Sequence, residues 1–152
     1  MNWRSDRGFS LLELIVVLAI MALGFAFVAP NFARSLDGLR FQAAVREVAD
    51  GLRQARGIAI SQGREAVFFV DVTDRRYRID RQRKTRSLPQ FLELTLETAE
   101  SEITGSGGNI RFFPDGSATG GRITLAWEER RRWVDVNWLT GRIDIATGTD
   151  ED

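Results

Sequence analysis

The sequence predicts an α+β chain: one long N-terminal helix, membrane-spanning in its first half, packed on an antiparallel β-sheet head. Three observations predict this class. From Phe9 to Ala29, 21 residues are apolar except for Ser10 and Glu13. From Phe41 to Ala59, apolar residues recur at steps of three and four, the period of one helix face. Beyond Gly63 the pattern changes to short alternating segments separated by Gly- and Ser-containing breaks, as expected of strands and turns.

The apolar run, as a helix rising about 1.5 Å per residue, is roughly 31 Å long, close to the thickness of a bilayer's hydrocarbon. It exceeds the apolar region of a secretory signal peptide, and its clearest break is Pro30-Asn31. A retained membrane helix is the better reading. Next, Phe41, Val45, Val48, Leu52, Ala55 and Ala59 form a stripe, with Arg40, Arg46, Glu47, Asp50, Arg53 and Gln54 on other faces. Gly38, Gly51 and Gly57 each weaken a helix by about 1 kcal/mol relative to Ala, and Gln62-Gly63 is the expected stop. "EAVFFVDVT" and "RYRIDRQ" flank Asp74-Arg75 as a hairpin, and "FLELTLE" alternates with Leu94 and Leu96 on one face. "NIRFF", "RITLAWE" and "RWVDVNWLTGRIDI" follow, the last turning at Thr140-Gly141, while "TGSGGN" and "PDGSATGG" are expected as loops. About six or seven strands result.

A chain of 152 residues suits one modest domain and an appended segment. Its 21 basic and 21 acidic side chains cancel, and Lys84 is the only lysine. Cysteine and histidine are absent, which excludes disulfides, thiolate or imidazole metal sites, and nucleophiles activated by histidine. Ser106 and Ser117 in glycine-containing loops, Lys84 in a charged stretch and the Glu128-Glu129 pair do not assemble into an active site. No enzymatic activity, cofactor or metal is expected, although carboxylate pairs and oxygen-ligand sites stay open on composition alone.

Glu13 is the anomaly of the apolar run. A carboxylate in hydrocarbon costs roughly 2.5–3.5 kcal/mol on insertion scales and marks a functional candidate, unless it reaches the interface. Basic residues leave topology open: Arg4 and Arg7 precede the run, while Arg34, Arg40 and Arg46 follow it. The stretch "RGFSLLELIVVLAIMA" resembles the class III signal of type IV pilins and type II secretion pseudopilins. The resemblance implies cleavage by a prepilin peptidase between Gly8 and Phe9, N-methylation of Phe9, and a helix bend at Pro30. It also implies that Glu13, fifth residue of the mature chain, neutralises the Phe9 amine of a neighbouring subunit during filament assembly. Pairing within one chain competes, since the two residues lie one helical turn apart. The expected organisation is a cytoplasmic leader (1–8), a transmembrane helix (9–30), an amphipathic periplasmic helix (31–63) and a β-rich periplasmic head (64–152).

"IRFFPDGSATGGRITL" followed by "WVDVNWLTGRI" is similar to the C-terminal region of the GspH/FimT group of minor pilins and pseudopilins, so the expected fold is type IV pilin-like. For a secretion member, the resemblance implies a structural subunit at or near a pseudopilus tip, supporting export of folded proteins across the outer membrane. Its implied partners are other minor pseudopilins, the major pseudopilin, prepilin peptidase, the inner-membrane secretion platform, and the inner membrane itself through the N-terminal helix. The alternative is a FimT-like minor pilin of a type IV pilus that binds DNA during natural transformation. The acidic ending "DIATGTDED" argues against nucleic acid, whereas Arg130, Arg131 and Arg132 favour it. A further basic cluster, Arg75, Arg76, Arg78, Arg81, Arg83, Lys84 and Arg86, is a candidate interaction patch. Alternation would set Arg76 and Arg78 beside Asp80, as a solvated edge that resists aggregation. The acidic stretch "ELTLETAESE" could face that patch within the fold or on a neighbouring subunit.

Overall fold

A computed structural model of the chain describes residues 10–148 apart from 81 and 83, with the backbone alone for 26–35. Helix α1 (Leu11–Gln62) is followed by strands β1 (Ala66–Asp71), β2 (Arg76–Ile79), β3 (Arg86–Ser87), β4 (Glu93–Glu97), β5 (Ile103–Thr104), β6 (Gly107–Phe112), β7 (Gly121–Trp127), β8 (Arg130–Val136) and β9 (Ile143–Gly148). The chain divides into two units at Leu39 and Arg40.

In the first unit the described side chains from Leu11 to Phe25 are all exposed. Among the described residues no helix is long and apolar enough to cross a membrane. The sequence's longer run, Phe9–Ala29, extends into residues whose side chains lie outside that description. Pro30 falls within the continuous span of α1.

The second unit has one core between the helix and two antiparallel sheets. Sheet A has the order β3-β2-β1-β6-β5 and sheet B the order β4-β7-β8-β9. The predicted stripe Phe41, Val45, Val48, Leu52, Ala55 and Ala59 is buried. It meets Phe68, Val70, Tyr77, Ile79, Ile110 and Phe112 of sheet A, and Ile123, Leu125 and Val134 of sheet B, in one cluster. At roughly 1.5–3 kcal/mol for each fully buried large apolar side chain, this burial is the main force holding helix to sheets. Gly51 is the notch that permits the approach: a Cβ there would lie 2.8 Å from Phe68 and 3.2 Å from Tyr77. Those two rings stack at 5.1 Å. The helix ends as predicted, at Gln62, where Gly63 takes φ +61°, a conformation that carries little cost only for glycine.

Nine strands form among the described residues, against the six or seven expected. The two extra ones, β3 and β5, have two residues each and lie at the edges of sheet A. "TGSGGN" is a correction: Thr104 belongs to β5, and Gly107, Gly108 and Asn109 begin β6 rather than a loop. The glycines are needed for contact, since a Cβ on Gly107 would collide with the Val70 carbonyl oxygen and one on Gly108 would lie 2.8 Å from Leu96.

Candidate functional site

The loops from Pro114 to Gly120 and from Asn137 to Arg142 lie side by side, with the Ala118 N–H donating to the Trp138 carbonyl at 2.9 Å. Each is built from local hydrogen bonds. Asp115 Oδ1 accepts from the Ser117 N–H at 3.0 Å and the Ser117 hydroxyl at 2.6 Å, which holds the Asp115 carboxyl below its ordinary pKa. Asn137 Oδ1 accepts from the N–H groups of Leu139 and Thr140 and from the Thr140 hydroxyl. Gly116 (φ +89°) and Gly141 (φ +60°) make the left-handed turns.

Arg56 of α1 joins the two loops. Its Nε donates to the Gly116 carbonyl and its Nη2 to the Thr140 carbonyl, each at 3.0 Å. Side chains would obstruct the clasp, because a Cβ on Gly116 would sit 3.1 Å from the guanidinium and one on Gly141 2.8 Å from Arg56 Nε. Sequence reasoning missed Arg56. Its available signal is position, four residues beyond Leu52 and therefore on the border of the buried stripe. Beside the clasp, Trp138 and Leu139 are 65% and 63% exposed. Trp138 also borders a groove of about 700 Å³ whose lining includes Glu97, Gly121, Arg122 and Asp135. Arg122 Nε donates to Asp135 at 2.6 Å, and its guanidinium stands 5.3 Å from the centre of the Trp133 ring.

Two ion-pair groups brace sheet A. Glu102, 6% exposed, accepts from Arg111 Nε at 2.8 Å, and Arg111 also reaches Glu65 at 2.9 Å. The hydrogen bond to Glu102, more than any other interaction, raises the Arg111 pKa. Arg64 grips Asp80 with two nitrogens at 3.1 and 2.6 Å. Glu102 of the acidic stretch thus pairs with β6, not with the basic cluster, and the Asp80 carboxylate receives Arg64, not Arg76 or Arg78.

Of the predicted basic cluster, Arg76, Arg78, Lys84 and Arg86 are exposed. Arg76 and Arg78 share the exposed face of β2, with Arg76 3.7 Å from Asp74 and Arg78 over the Phe69 ring at 5.6 Å. Arg75 turns the other way and donates to the Leu92 carbonyl at 2.6 Å. Arg86 lies 4.0 Å from Glu47, and Lys84 is exposed. Arg81 and Arg83 lie outside the described residues, as do Gly8 and Phe9. Glu13 is exposed in the first turn of α1. The serines considered as nucleophiles have structural roles: Ser117 in its loop, and Ser106 donating to Asp71 at 2.7 Å.

Comparison with known proteins places these features. The model of a family described as Type II transport protein GspH matches residues 44–141, which include α1 from Ala44, the three residues of the clasp, the first loop and the second loop up to Gly141. The chain belongs to the GspH family. Residues 3–29 of this GspH-family chain also match the prokaryotic N-terminal methylation motif. The chain is 36% identical over 141 residues to the type II secretion system protein H of Xanthomonas campestris pv. campestris, covering 92% of this chain and 83% of that one. Its fold is that of the type IV minor pilin FimU of Pseudomonas aeruginosa, with TM-score 0.57 and 15% identity over 72% of this chain and 90% of that one. The minor pseudopilin EpsH of Vibrio cholerae is similar to the same degree, with TM-score 0.56 and 15% identity over 74% of this chain and 97% of that one. The type IV pilin-like α+β fold expected from the sequence is therefore present.

Proposed function

We infer that this GspH-family chain is a minor pseudopilin of a type II secretion system. It is a structural subunit at or near the tip of a periplasmic pseudopilus, and it supports export of folded proteins across the outer membrane. The observation that carries this reading is the joining of two matches in one chain, a methylation motif over residues 3–29 and a GspH head over 44–141. Prepilin peptidase cuts between Gly8 and Phe9 and methylates the new amine. The apolar run holds the subunit in the inner membrane until it enters the filament, Pro30 bends the helix, and the head stays in the periplasm. The exposed apolar side chains from Leu11 to Phe25 support this, because such a surface needs lipid or neighbouring helices to cover it. Glu13 neutralises the Phe9 amine of an adjacent subunit, a pairing with high value where water is scarce.

Glu13→Val tests the assembly role in cells that depend on this subunit. Processing at Gly8-Phe9 and membrane insertion are expected to persist. Recovery of the subunit with the other pseudopilins, read by pull-down and immunoblot, should drop about tenfold, the equivalent of ~1.4 kcal/mol. Normal recovery would remove the pairing role. A mobility-shift assay with DNA across salt concentrations, run in parallel, separates this reading from a DNA-binding minor pilin. Tight, salt-sensitive binding would favour the pilin.

A further inference from the structure

Strand β9 is the outermost strand of sheet B, and β8 is the only strand that pairs with it among the described residues. Its outer side therefore presents backbone N–H and C=O groups that no strand among the described residues receives. Proteins usually guard such an edge with lysine, proline, a bulge or an inward-facing charge. The six residues Ile143 to Gly148 contain no lysine or proline, and their one charged side chain, Asp144, is on the face opposite Ile143 and pairs with Arg142 at 2.7 Å. Their register with β8 is unbroken from Val136↔Ile143 to Arg131↔Gly148. On the face that includes buried Ile143, the positions are Ile143, Ile145 and Thr147, none of them charged, and Ile145 remains 42% exposed.

Beside this edge is a cleft of about 280 Å³, lined by Gln42, Val45 and Arg46 of α1, Arg132 of β8 and Ile145. Val45 and Ile145 make part of it apolar, and Arg46 and Arg132 bring two positive charges. Among the described residues neither arginine has a carboxylate partner; Arg132 donates to the Arg131 carbonyl at 3.2 Å.

We propose that the β9 edge and this cleft receive an extended, carboxylate-bearing strand from another pseudopilin, continuing sheet B across the subunit boundary. The proposal rests on the reading of this chain as a filament subunit. The backbone row calls for a peptide main chain, which adds a strand by directed hydrogen bonds. The apolar floor calls for an alternating side chain, and the paired guanidiniums call for an acid, which they can hold by charge-assisted hydrogen bonds. A nucleic acid would engage the arginines but leave the backbone row and Ile145 unused.

The chain has no native cysteine, so single cysteines report position cleanly. Full-length chains carrying Thr147→Cys on β9, or Thr95→Cys on the opposite edge strand β4, are expressed with the other pseudopilins, loaded with a thiol-linked photocrosslinker and mapped by mass spectrometry. Thr147→Cys should link to an Asp- or Glu-containing strand of another pseudopilin head, and Thr95→Cys should not link to that strand. Adding Arg46→Glu and Arg132→Glu should cut the link about tenfold. Arg46→Ala, which removes an exposed side chain, should cut it less while leaving protease resistance unchanged. Ile145→Lys, an edge guard of the usual kind, should also cut it. A link from Thr147→Cys only to a second copy of this chain, a link indifferent to charge reversal, or a cleft blocked by added DNA would overturn the proposal. If the chain co-purifies with the pseudopilins yet gives no link at Thr147→Cys, the proposal fails and the subunit role stands. If it co-purifies with none of them, both fail.

Discussion

Arg56 illustrates how much one side chain can organise when its partners are main-chain oxygens. It spans to residues 60 and 84 positions away in sequence, and no local pattern reveals carbonyl partners at such separations. Arg56→Ala should cost about 2 kcal/mol, within the range for hydrogen bonds to a charged group, measured by denaturant unfolding of the head from Arg40 onward. Tyr77 is buried, and its hydroxyl donates to Glu47 Oε1 at 2.8 Å. Burial first, and then the Glu47 hydrogen bond, push its pKa up to about 12. Because the folded value lies above the unfolded one of about 10, its stabilisation is complete below that pH and is lost between about pH 10 and 12. Tyr77→Phe should flatten this alkaline decline in melting temperature. Asp71 has the opposite sign. The Asp74 N–H, and then the Ser106 hydroxyl, hold its carboxyl below the ordinary range. Its contribution is present above the unfolded value of about 3.9 and is lost as pH falls through the folded one. Asp71→Asn should reduce the acid-side slope of melting temperature below that value. Residue-level chemistry was legible only for the predicted core stripe, where period alone decides burial.

At the scale of elements the sequence was more informative. The helix stop, the hairpin at Asp74-Arg75 and the turn at Thr140-Gly141 all stand where residue type and alternation put them. Strands β3 and β5 escaped because two residues cannot display a period of two. The start of β6 escaped for a different reason. Gly107 and Gly108 read locally as a loop, but they serve as the flat stretch over which β1 and Leu96 approach. Gly107→Ala should therefore destabilise the head by about 1–3 kcal/mol through overpacking, measured by thermal unfolding. Ala at Gly57, where a Cβ meets nothing within 4 Å, should be neutral or slightly stabilising because it improves helix propensity.

For the whole molecule, both ends of the sequence pointed to the family, and the family matches fall on those parts of the chain. What the sequence could not display was the assembly of distant charges. Within the basic cluster at residues 75–86, Arg75 donates to the Leu92 carbonyl and Arg86 lies 4.0 Å from Glu47 of α1, partners that the one-dimensional pattern does not display. Likewise, Arg46 and Arg132 are far apart in sequence, yet α1 and β8 bring them to the lining of one cleft. The Arg56 clasp has a further consequence for how such heads diversify over time. It grips the backbone at Gly116 and Thr140, so it places no demand on the side chains of the exposed Trp138 and Leu139. Substitutions at the exposed Trp138 or Leu139 can therefore change the surface beside the clasp without touching its hydrogen bonds. The two glycines and the one arginine form the frame, and Trp138 and Leu139 are the exposed side chains beside it.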